Sequence, residues 1–104
     1  MPVIIDKIRL HDPAHAEDFV RWVEAVDYAA CCTLPSVLRF EVVRADPDAG
    51  CDFFEIIHVA SRAAFERDMQ TPAFAALVAD FTRMARVTET LCGTAIAPGY
   101  VRRG

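Results

Sequence analysis

The order in which hydrophobic periodicity changes along this chain constrains its fold more than any single motif. Residues 3–10, VIIDKIRL, are rich in β-branched side chains and run into His11-Asp12-Pro13, which suits a first strand. Asp12 offers an N-cap acceptor, and Pro13 takes a helix position whose N–H has no partner anyway. Beyond it, Ala16, Phe19, Val20, Val23, Val26 and Ala30 recur at helical spacing. The sequence therefore predicts a helix with one apolar face that stops before Pro35. VLRFEVVR (37–44) and DFFEIIHVA (52–60) read as strands joined by the turn-rich ADPDAGC. Ser61 caps a short helix over 62–70, and Thr71-Pro72 restarts it. The second run is expected to continue to residue 91, with a stripe at Phe74, Leu77, Val78, Phe81, Met84 and Ala85, followed by a last strand at 92–97.

The pattern is βαββαβ, an α+β ferredoxin-like sandwich over residues 1–104 as a single domain. It has four antiparallel strands in the order 4-1-3-2 and helices on one face. Hydrophobic residues make up 54% of the chain, high for a lone monomer this small. The face without helices needs a cover, and a second copy supplies it. The expected assembly is a homodimer whose sheets form a dimeric α/β barrel.

Several function classes lose support. The net charge is −4, and no basic cluster exists beyond Arg102-Arg103, so no nucleic acid partner is expected. No segment approaches the roughly 18 apolar residues of a membrane span, so no membrane partner is expected either. The N-terminus has no secretory pattern, and the four cysteines (31, 32, 51, 92) are expected to stay reduced in a cytoplasmic protein. They form no CxxC pair, and His11 and His15 straddle a helix start, so no metal is expected. Adjacent helical residues point about 100° apart, which makes Cys31 and Cys32 packing residues. Nucleotide and serine-hydrolase motifs are absent, and no cofactor is expected.

Polar residues stand where the pattern asks for apolar ones. Asp27 follows Val23 and Val20 on the apolar stripe of the first helix, and Asp68 follows Ala64 and Phe65 on the second. A buried carboxylate demands a partner, a raised pKa or a cavity. Asp6 shares a strand face with Ile4, Ile8 and Leu10, and His58 shares one with Phe54 and Ile56. If those faces look at the helices, His58, Asp27 and Asp68 form a general acid/base set, with Asp6 and Tyr28 placing the substrate. Phe40, Phe54 and Phe74 supply flat walls for a small aromatic ligand. On this parity Arg39 and Glu55 lie on the opposite face as a cross-strand ion pair, whereas the reverse parity would bring Glu55 into the pocket.

The segments DYAACCTLPSV and FERDMQTPAFAALVADF, with the terminal GY, resemble the RedY-like (HapK) family. Its members are encoded with pathways to prodigiosin-type tripyrroles and bisindole alkaloids. More distantly the chain is similar to dimeric α/β-barrel proteins that include olivetolic acid cyclase and cofactor-free quinone-forming monooxygenases. The HPAH region of that cyclase is similar to TPAF here, so Phe74 stands where it has a histidine. Asp68, Asp27 and Tyr28 fall near its pocket tyrosines, and its polyketide aldol chemistry does not transfer. The resemblance implies a cofactor-independent cyclase working on an indole- or pyrrole-derived intermediate. A cofactor-free monooxygenase and a non-catalytic accessory protein are the alternatives.

Overall fold

Three side-chain caps set the helix starts in the computed structural model, which describes residues 1–104. Asp12 accepts from the Ala14 N–H at 2.9 Å and opens a helical run over 13–33, α1. Ser61 Oγ accepts from the Ala64 N–H at 3.0 Å and opens α2, Arg62–Asp68. Thr71 Oγ1 accepts from the Phe74 N–H at 3.3 Å, with Pro72 in the first turn of α3, Pro72–Met84.

The strands are β1 (Pro2–Leu10), β2 (Val37–Arg44), β3 (Phe53–Val59) and β4 (Ala85–Thr94). They form one antiparallel sheet in the order β2-β3-β1-β4, the ferredoxin-like arrangement expected from the sequence. One boundary is corrected. The second long helix ends at Met84 instead of residue 91, and β4 begins at the next residue. No glycine or proline marks the junction. The switch comes where Ala85 turns extended, at φ −155° and ψ 176°, and the β-branched residues Val87, Thr88 and Thr90 follow. Ala85 belongs to the core as a strand residue, fully buried.

The β1–β3 register decides what faces the helices. Ile4 lies opposite Ile57, Asp6 opposite Glu55, and Ile8 opposite Phe53. Ile8, Leu10, Phe19, Val23, Phe53 and Ala85 form one buried cluster, and Ile4, Ile57, Val59 and Phe65 form another. Burying each large side chain contributes roughly 1.5–3 kcal/mol, so both clusters hold the helices to the sheet. Asp6 and Glu55 fall between them, on the same face.

The other face carries Val3, Ile5, Phe54, Ile56 and His58, none of which is buried or joins either core cluster. Only 14 of the 104 residues are buried, which follows from leaving one side of the sheet uncovered. No helix is long and apolar enough to cross a membrane.

Candidate functional site

Between the sheet and the helices lies a cavity of about 390 Å³. Of its 19 lining residues 14 are hydrophobic, so charges inside it are poorly solvated. Trp22, Phe40, Phe65, Phe74 and Phe81 give flat walls, and the acids Asp6, Asp27 and Glu55 enter from three elements.

Glu55 is the most perturbed of these. Burial, then a hydrogen bond with Asp6, then the charges of Asp6 and Asp27 push its carboxyl up to about 9. At neutral pH it therefore holds a proton and shares it with Asp6, its direct partner across β1 and β3. Asp6 in turn accepts from the Thr90 hydroxyl of β4 at 2.6 Å. Thr90, Asp6 and Glu55 thus lie in one cross-strand row, β4 to β1 to β3.

Asp27 reaches the cavity through an irregular turn. The middle of α1, Val23–Asp27, is a π turn in which the Tyr28 N–H donates to Val23 O. Such turns insert a residue into an α-helix and re-aim the side chains around it. Burial pushes the Asp27 carboxyl up to about 6. Cys31, also in the lining, is pushed up to about 11 by burial and then by Asp27, so it is a thiol at neutral pH and a poor nucleophile. No group of three His, Cys, Asp or Glu side chains has metal-ligating geometry.

Asp6, Asp27, Phe40 and Phe74, singled out from the sequence, come together here. The others do not. His58 pairs with Val3 and Arg39 on the face away from the helices, so the expected strand parity is reversed. Phe54, opposite Lys7 and Val43, turns away with it. Glu55, expected to pair with Arg39 outside, is the residue that enters; Arg39 instead approaches Glu41 at 3.9 Å. Asp68 is buried but outside the lining. It accepts from the Ser36 N–H at 2.8 Å and from the Ser36 hydroxyl, tying the end of α2 to the approach to β2. The Tyr28 hydroxyl accepts from the Val42 N–H at 3.0 Å, beside a shallower groove lined by Leu38 and Arg39.

Neither Thr90 nor Glu55 is assigned to the site by the expected pattern. Thr90 lay in the stretch expected to be helical. Glu55 had a signal: Ile4-Asp6-Ile8 and Phe53-Glu55-Ile57 each set one acid between large apolar residues two positions away.

The family model described as REDY-like protein HapK matches residues 2–96. The chain belongs to that family. This family member is 48% identical to HapK from Hahella chejuensis, with a TM-score of 0.93, over 99% of this chain and 100% of that one. SnoaB, a cofactor-independent oxygenase from Streptomyces nogalater, matches with a TM-score of 0.69 at 19% identity, over 93% and 94% of the two chains. A dimeric ferredoxin-like protein from Thermobifida fusca matches with a TM-score of 0.62 at 14% identity, over 88% and 86%. The last two likenesses concern the fold alone. No curated protein matches the chain.

Proposed function

We propose that this HapK-family protein is a cofactor-independent cyclase acting by proton transfer on an indole- or pyrrole-derived aromatic intermediate. The observation that carries the reading is the convergence of Asp6, Glu55 and Asp27 in one apolar, aromatic-walled cavity. Glu55, protonated at neutral pH, is the general acid. Asp27, balanced near 6, is the general base. Two carboxyls whose surroundings push them to different values divide acid and base work within one site. Asp27 takes a proton from one substrate atom while Glu55 delivers one to another, so the substrate keeps its overall protonation as the ring closes. The aromatic walls hold the flat intermediate and keep water from it. The RedY-like resemblance supports the substrate class.

A second copy of the chain is proposed to cover the open sheet face, where Val3, Ile5, Phe54 and Ile56 lie, giving a homodimer. The Thermobifida fusca neighbour is itself described as dimeric.

The test is to incubate the protein with crude intermediates of an indole or pyrrole assembly pathway and compare products by liquid chromatography–mass spectrometry, with and without oxygen. The expected result is an oxygen-independent change in the ring-closed product that Glu55→Gln and Asp27→Asn abolish while remaining folded. An oxygen requirement would favour an oxygenase, the activity named for SnoaB. Product profiles insensitive to both variants would leave only an accessory binding role.

A further inference from the structure

The hydrogen bond from β4 to the acid pair has a consequence for how tightly Glu55 holds its proton. Asp6 Oδ1 accepts from Thr90 Oγ1 at 2.6 Å, within the range of a strong hydroxyl–carboxylate bond. Thr90 stands directly opposite Asp6 across the β1–β4 ladder, as Glu55 does across β1–β3. Three strands thus place a hydroxyl, an acceptor carboxylate and a proton-holding carboxyl in one row. The β1–β4 pairing runs unbroken from Pro2–Thr94 to Lys7–Glu89 and shifts register only beyond it, between Lys7 and Ile8, where Thr88 is left without a partner.

We infer that Thr90 is a positioning residue of the site: its hydroxyl fixes the orientation of Asp6 and draws off part of the negative charge that holds the proton on Glu55. A carboxylate that already accepts a strong bond is a weaker acceptor for the next donor. With Thr90 in place the Glu55 proton is therefore looser, and Glu55 is the better acid. The inference rests on the proposed acid role of Glu55.

The groups able to disturb that balance are few. Besides Asp6 and Glu55, the charged or titratable residues of the lining are Asp27 and Cys31 from α1 and the exposed Arg86 from β4; β2, α2 and α3 contribute none. Arg86 makes no salt bridge with any of the three acids. Asp6 takes the Thr90 bond, so the substitution Thr90→Val, matched in shape but without the donor, acts on the Asp6–Glu55 pair first.

The test compares wild type, Thr90→Val and Thr90→Ser by carboxyl carbon-13 titration of Glu55 without substrate and by the pH profile of product formation. Expected for Thr90→Val is a rise of about one pH unit in both the Glu55 midpoint and the alkaline limb of the profile, with several-fold slower turnover at neutral pH. Thr90→Ser, which keeps the donor, restores both. A Glu55 midpoint that is the same in all three proteins overturns the inference. So does a Thr90→Ser variant that behaves like Thr90→Val, because shape alone would then account for the effect. If instead Glu55→Gln leaves the products unchanged, the acid role of Glu55 falls first and takes this inference with it.

Discussion

Replacing Glu55 with glutamine should make the protein more stable and less active, and the stability gain should depend on pH in a defined way. An unfolded glutamate titrates near 4.5, while burial and Asp6 raise the folded group to about 9. The fold therefore binds this proton more tightly than the unfolded chain does. Its stability contribution is complete below about 4.5 and drains away as pH rises, until the folded group itself ionises near 9. At pH 7 the loss depends on the unfolded value alone, because the folded group is still protonated. Roughly two and a half pH units at about 1.4 kcal/mol each give about 3.5 kcal/mol. Glutamine has nearly the same shape, offers an N–H to Asp6 and has no proton to take up. Glu55→Gln should thus gain up to about 3.5 kcal/mol over wild type at pH 7 and close to nothing at pH 4.5. Asp27 is raised by burial in both proteins, so its own contribution cancels in the difference. Urea unfolding at fixed protein concentration, from pH 5 to pH 8.5, checks this, and holding concentration fixed keeps any assembly equilibrium constant. The gap between the two proteins should widen by about 1.4 kcal/mol per pH unit. A gap that stays flat across that range would mean that Glu55 is already ionised in the fold, and the acid role would go with it.

Product formation should follow a bell-shaped pH profile, measured by initial rates. It rises through about 6 as Asp27 loses its proton and falls through about 9 as Glu55 loses its own. Asp68→Ala strands the Ser36 N–H and hydroxyl and should cost about 1–3 kcal/mol in chemical denaturation without altering which product forms. His58→Ala, on the far side of the sheet, should leave the product profile as in wild type by the same mass-spectrometric comparison. Phe19→Ala removes a buried ring from between Trp22, Phe53 and Phe81 and should cost about 3–5 kcal/mol, visible in the unfolding transition of Trp22 fluorescence.

Most of the architecture was legible because its signals are local. Asp12, Ser61 and Thr71 cap helices from their own side chains, and β2 begins and ends where the apolar alternation does. The end of α3 was not, because Phe81, Met84 and Ala85 continue the helical spacing into a residue that the sheet claims instead. The site was half legible for a related reason. Asp27 stood out on its helix, and Asp6 was rightly grouped with Ile4 and Ile8. In β3 both alternations, Phe53-Glu55-Ile57 and Phe54-Ile56-His58, are apolar enough to face a core. Alternation cannot choose between them when both faces of a sheet carry large hydrophobes, and the wrong choice exchanges every side chain at once. That single ambiguity moved His58 into the site and Glu55 out of it.

The direct passage from α3 into β4 also limits how the gene can change. Leu77, Val78 and Phe81 form one wall of the cavity, and Thr90 stands on the strand that continues that helix. No loop connects Met84 to Ala85, and β4 already holds one extra residue, Thr88, at its register shift, so an extra codon there meets no free connection to absorb it. It would either slide the strand by one position, turning Thr90 over to the other side of the sheet, or rewind the last helical turn and shift the wall. Length variation in this region should therefore be confined to the β2–β3 connection and to the residues after Thr94, while the Met84–Thr90 interval stays fixed at its present count.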